Sequence, residues 1–163
     1  VNLSSTFKWR PDIALSDNRN LDYFFERDGE LQDLGNTNIA YSPKLIAGNI
    51  ITYQPNTNFQ VSLLSKFVGK QYMGNIDSET SVLDSYTQTD FNIQYTINMN
   101  SFIKSIELSG LVNNIFDADI VSNGYFYTFD DDYSNPGTIT TIEGAGYYPQ
   151  AGINFLVGAA INF

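Results

Sequence analysis

Hydrophobic and polar positions alternate with a period of two along most of this chain, and a 3.6-residue period dominates nowhere. At the start, Val1, Leu3, Phe7 and Trp9 alternate with Asn2, Ser4, Thr6, Lys8 and Arg10. Phe91, Ile93, Tyr95 and Ile97 are separated by Asn92, Gln94 and Thr96, and Ile106, Leu108, Gly110 and Val112 continue the pattern. At the end, Ile153, Phe155, Val157, Ala159, Ile161 and Phe163 alternate with Asn154, Leu156, Gly158, Ala160 and Asn162. Residues 38–53 and 59–72 alternate less cleanly. The pattern predicts about six strands of about 10 to 18 residues each, well beyond the usual length in globular sheets.

The connections between these strands differ in length by turns. Pro55-Asn56-Thr57-Asn58 and Asn98-Met99-Asn100-Ser101 are short and rich in turn formers. Residues 27–35, 73–83 and 128–145 are longer and polar. This order predicts one all-β, antiparallel, up-and-down meander with its short turns at one end. No linker, composition break or solenoid repeat divides residues 1–163.

Composition narrows the chemistry. The 163 residues include no Cys and no His, which excludes disulfides, thiolate nucleophiles, His-based triads and His-ligated metals. Eight basic against 18 acidic residues give a net charge of −10, unsuited to nucleic acid. Charged residues are only 16% and aromatics are 15%, and no apolar run reaches the roughly 20 residues of a transmembrane helix. A start at Val1 rather than Met suggests a processed or partial polypeptide.

Long alternating strands, few charges and ordered loop asymmetry suit a transmembrane barrel, whose outer face meets lipid and whose inner face meets water or a plug. Tyr53, Phe59, Tyr95, Phe102 and Phe163 each lie beside a short turn or the chain end, as one interfacial aromatic girdle would. About six strands cannot close, and open edges are too costly in lipid, so such a chain is part of a larger barrel. The alternative from period alone is a secreted or surface β-sandwich that binds glycans through aromatic residues. A structural outer-membrane barrel without transport is a third possibility.

Val112-Asn113-Asn114-Ile115-Phe116 resembles the asparagine-rich motif before the last strand of TonB-dependent outer-membrane receptors. Ser122-Asn123-Gly124-Tyr125 and Tyr147-Tyr148-Pro149-Gln150-Ala151-Gly152 follow it, a succession similar to the receptors of Bacteroidota. Ala40-Tyr41-Ser42-Pro43, Val68-Gly69-Lys70-Gln71-Tyr72 and a final strand ending in Phe163 extend the resemblance over the chain. Departures are Ile153, where related receptors often carry Arg, and Asp117-Ala118-Asp119-Ile120, where many carry Tyr. The resemblance implies that residues 1–163 are the C-terminal segment of a barrel of about 22 strands. It also implies a bacterial outer-membrane location, energy-coupled import of an iron chelate, haem, cobalamin or glycan, and no enzymatic activity. Its partners would be lipid, the remaining strands and plug, TonB through the N-terminal part, and an extracellular ligand. Phe163 would be the barrel-insertion signal.

Among loop residues, Tyr72, Tyr127, Phe129 and Tyr133 are the ligand-contact candidates, with Tyr23, Phe24 and Phe25 approaching the first long loop. An outer girdle is the competing reading for several of them. Asp130, Asp131 and Asp132 with Glu143 lack the spacing of an EF-hand, and with Glu26, Asp28, Glu30 and Asp33 they read as solvated loop faces. No cofactor, metal or catalytic residue is expected. Lys44, Lys66 and Lys70 fall on mostly inward positions, and Gly69, Gly110 and Gly158 belong to no phosphate loop.

Overall fold

The computed structural model describes all residues, Val1–Phe163. Eight strands have nine residues or more: β1 (Phe7–Leu15), β2 (Leu45–Asn56), β3 (Phe59–Val68), β4 (Tyr86–Asn98), β5 (Ser105–Asn113), β6 (Val121–Asp131), β7 (Thr140–Pro149) and β8 (Asn154–Asn162). Six of them form one antiparallel sheet in the order β1-β2-β3-β4-β5-β8. The remaining two, β6 and β7, pair only with each other, as a hairpin inside the β5–β8 connection. The expected meander is therefore present, and each wall strand neighbours the next wall strand in sequence.

Register turns the alternation into two faces, because residues directly opposite in an antiparallel pair point the same way. Trp9, Ile51, Leu63, Phe91, Val112 and Phe155 lie opposite one another in succession across all six strands. On the other face the corresponding row runs Lys8, Thr52, Ser62, Asn92, Leu111 and Leu156, with Thr52 and Ser62 hydrogen-bonded at 3.0 Å. Nine to thirteen residues per strand span about 30–43 Å, which a tilt of 35–45° brings to roughly the thickness of a barrel's apolar band.

No second sheet packs on this wall, so neither face is covered. Only 12 of 163 residues are buried, and the buried apolar ones, Val68, Met73, Leu83 and Ile120, lie at or beyond strand ends. A β-sandwich needs two packed layers; the single wall overturns that alternative.

Several strand limits differ from the sequence expectation. The first strand begins at Phe7, because the chain folds back there: Leu3 and Ser4 N–H donate to Phe7 O, and Asn2 bridges Lys8. Residues 38–44 and 69–72 leave the wall, and the wall strands are 9 to 13 residues, shorter than the upper expectation. The segment 128–145 is mainly the ends of β6 and β7, leaving 132–139 as the tip. The segment 27–35 holds half of a small hairpin, Phe24–Arg27 with Glu30–Asp33. Its turn residues Asp28 and Gly29 both have positive φ (57° and 74°), which an Asp-Gly pair accommodates.

The asparagine-rich motif has a mechanical explanation. Asn114 takes φ 50° at the end of β5 and is almost fully buried. Its side-chain amide donates to Ala118 O at 2.9 Å and its side-chain oxygen accepts Ala118 N–H at 3.0 Å, so the turn is closed on both sides. Its backbone N–H donates to Asp90 at 2.9 Å, and Asp117 accepts Ile153 N–H at 2.8 Å. A Cβ at Gly152 would overlap the Asp117 carboxylate, so a larger residue there would displace the group that accepts Ile153 N–H. The turn thus ties β4 and β5 to the start of β8.

Candidate functional site

The three long connections, residues 16–44, 69–85 and 114–153, meet at one end of the wall as a single cap. They share Leu83, Met73 and Ile120 and the buried polar residues Thr37, Gln71 and Ser81. Polar bonds join them in pairs. Asn38 donates through backbone and side chain to Asp77 at 2.9 Å, and Ala40 N–H donates to Asn75 at 2.7 Å. The Tyr41 hydroxyl donates to Gly124 O at 2.7 Å, and the Tyr147 hydroxyl to Thr80 O at 3.1 Å.

All three connections converge on Glu143 of β7. Arg27 Nη2 donates to its Oε1 at 2.6 Å, and the Ser78 hydroxyl donates to its Oε2. The Arg27 guanidinium also lies 5.9 Å above the Phe25 ring, while its Nε has no partner. Beside this junction, Asp28 N–H donates to Thr141 Oγ1 at 2.7 Å and Thr141 N–H donates back to Asp28 at 2.8 Å. Such charge-assisted and reciprocal bonds fix the relative orientation of two hairpin tips.

The hairpin β6–β7 has two unlike faces. Phe126, Glu143 and Tyr147 face the neighbouring connections. On the other face, Tyr125, Tyr127 and Phe129 form a row, with centroids 6.2 and 6.4 Å apart and planes within 20° and 17° of parallel. Tyr148 adjoins Tyr125 at 5.9 Å. Gly146 and Gly144 stand opposite Tyr125 and Tyr127, and a Cβ at either glycine would overlap the facing ring. Each tyrosine therefore lies flat across the partner backbone, one face down and the other outward; both tyrosines and Phe129 are half exposed.

Charge is segregated as well. The cap connections carry 15 of the 18 acidic but only four of the eight basic side chains. Segment 114–153 holds six acids, Asp117, Asp119, Asp130, Asp131, Asp132 and Glu143, and no base. Asp131 accepts N–H bonds from Tyr133 and Ser134 at 3.0 Å each. Hydrogen bonds from Ser134 and from the Tyr133 backbone hold its carboxyl below the ordinary value. Asp17 is likewise lowered, by hydrogen bonds from Arg19 and Lys44. No three acidic side chains gather at one point.

Of the expected contact residues, Tyr127 and Phe129 come together in the row. Tyr72 lies elsewhere in the cap, with the Lys70 ammonium 5.1 Å from its ring centre, and Tyr133 is at the hairpin tip, 90% exposed. Lys66 sits on the polar face of β3, whereas Lys44 and Lys70 belong to the cap and pair with Asp17 at 3.2 Å and Glu79 at 3.8 Å. At the opposite end, Phe7 packs on Tyr53 at 4.7 Å, Phe59 on Tyr95 at 6.4 Å and Phe102 on Phe163 at 5.2 Å. Sequence reasoning missed Tyr125, Tyr148 and the glycines beneath the row. The signal was present: Tyr125-Phe126-Tyr127-Thr128-Phe129 and Gly144-Ala145-Gly146 keep period two into both ends of residues 128–145, where the pattern predicts a long connection.

No known protein-family profile matches the chain, and no curated protein matches it. Among solved structures, it is similar to the closed form of the ferric-catecholate import receptor Fiu from E. coli K12, with a TM-score of 0.65 and 18% sequence identity. The likeness covers 97% of this chain and 19% of that one, so the chain spans about a fifth of the length of the protein it resembles. The fold is thus an all-β, six-stranded antiparallel sheet resembling part of a TonB-dependent receptor barrel.

Proposed function

We propose that the chain is an arc of wall and outer loops from a TonB-dependent outer-membrane receptor, the C-terminal segment of its barrel. The observation that carries this reading is the one-layer meander: an unbroken apolar row on one face, a row on the other that is polar from Lys8 to Asn92 and ends in Leu111 and Leu156, and no covering layer on either. A sheet of this kind is stable only where lipid covers the first face and the remaining receptor encloses the second. The cap then belongs to the extracellular side and contributes to the vestibule. Tyr53, Phe59, Tyr95 and Phe102 form the periplasmic girdle, and Phe163 ends the strand that closes the barrel and signals insertion.

In this reading the receptor imports a scarce nutrient (an iron chelate, haem, cobalamin or a glycan) without changing it covalently. Ligand engages the outer loops and plug, and TonB uses the proton gradient to remodel the plug. The resemblance of residues 112–116 and 147–152 points to a Bacteroidota-type receptor. The test is to express the intact receptor, follow it to the outer-membrane fraction, and measure ligand uptake with and without TonB. Uptake that needs TonB is the expected result; outer-membrane location without uptake identifies a structural barrel instead. The isolated chain should require detergent, and a monodisperse, cooperatively folding chain in plain buffer would overturn the reading.

A further inference from the structure

We propose that the row Tyr125, Tyr127 and Phe129 is a binding surface for a flat organic cation. The inference rests on the reading that the cap stands outside the membrane, and it goes beyond that reading, because a flat organic cation is none of the nutrient classes named there. Geometry supplies an ordered row: rings nearly parallel, 6.2 and 6.4 Å apart, the two tyrosines bedded on Gly146 and Gly144, and all three residues half exposed. An aromatic face carries the negative lobe of the ring quadrupole, so it attracts a cation placed over it.

Electrostatics selects the sign of the occupant. By strand alternation Asp131 lies on the same face as Phe129, at the tip end of the row. Two backbone N–H bonds keep its carboxylate charged and in place. The surrounding segment has six acids and no base, so its field accumulates cations and repels multiply charged anions. Four basic residues do occur in the cap, but each has an acidic partner: Arg19 and Lys44 at Asp17, Arg27 at Glu143, Lys70 at Glu79. None of the four is positioned by these bonds to receive an anion on the aromatic row. An uncharged sugar would gain contact with the rings and could donate hydroxyl hydrogen bonds to Asp131, but it would gain neither the cation–π attraction nor the charge–charge attraction that a cation adds.

The test uses the intact receptor in detergent and probes matched in shape. Dimethyl-bipyridinium, a flat dication, should quench tyrosine fluorescence saturably, and uncharged bipyridine should bind far more weakly. Tyr127→Leu should weaken the dication by about 2- to 30-fold, the range of one cation–π contact, whereas Tyr127→Phe should stay within about twofold. Asp131→Asn should weaken it roughly threefold and flatten its dependence on ionic strength. Equal affinity for bipyridine, no response to Tyr127→Leu, or preferential binding of ferric tris-catecholate or maltohexaose to the row would each overturn the proposal. Fractionation separates this from the barrel reading. A receptor in the outer membrane that shows no preference for the dication refutes the cation surface alone, while a dication-selective protein outside that membrane refutes only the barrel.

Discussion

Leu63 and Leu64 are neighbours in sequence on opposite faces of β3, so one substitution made at each of them tests the wall directly. Leu63 lies between Ile51 and Phe91 in the apolar row, at the middle of a ten-residue strand. An arginine there must place its charge in lipid, which costs about 2–4 kcal/mol near the midplane of a barrel. At 1.4 kcal/mol per factor of ten, that lowers the folded-to-unfolded ratio by about 30- to 700-fold. Leu64 lies between Ile50 and Asp90 on the polar face. An arginine there loses some apolar contact but gains a carboxylate neighbour and water, for a net change within about 1 kcal/mol. The assay is guanidinium unfolding of the intact receptor in vesicles, followed by tryptophan fluorescence and by heat-dependent gel mobility. Leu63→Arg should shift the midpoint strongly and Leu64→Arg little. Equal shifts, or a larger one at Leu64, would refute the assignment of lipid to the Trp9–Phe155 row.

Three further expectations concern the cap. Arg27→Met removes the bond to Glu143 while leaving Ser78 in place; with the two side chains 35% and 20% exposed, the loss should be about 1–2 kcal/mol and appear as faster protease cleavage at residues 28–29 and 132–139. Gly144→Ala should keep the fold, because only a flexible ring end must move, but it should lift Tyr127 and alter the near-ultraviolet circular dichroism of tyrosine. The folded carboxyl of Asp131 has a lowered pKa, so its stabilisation of the tip is present above the unfolded value of about 3.8 and is lost as pH falls through the lower folded one. Hydrogen exchange at the Tyr133 and Ser134 amides, corrected for intrinsic rates, should lose protection only in that acid range, and a loss already complete near neutrality would contradict it.

Local pattern carried the wall because a strand's side chains alternate whatever lies beyond it. Phe91 to Ile97 and Phe155 to Ile161 therefore announced both strand and face, and the short turns after Tyr53 and Asn98 announced the pairing of neighbours. Strand ends were less legible. Residues 38–44 are apolar enough to continue β2, yet Asn38 and Ala40 bond instead to Asp77 and Asn75, partners 35 to 39 residues away. In the same way Val1 and Leu3 fit the alternation of β1 but fold back through bonds to Trp9 and Phe7 respectively.

For the candidate site, period two by itself puts Tyr125, Tyr127 and Phe129 on one face, but the flat bedding of the two tyrosines was not legible. It depends on register across β6 and β7, which puts glycines under two rings. The junction at Glu143 was less legible still, since it gathers Arg27, Ser78 and Glu143 from three separate connections. By itself the sequence determined an all-β meander with one apolar face, because period-two alternation is a property of each strand alone. Only the tertiary structure decided that the long loops are one bonded cap and that two of its tyrosine rings lie over glycines of the partner strand, because those arrangements depend on contacts between residues remote in the chain.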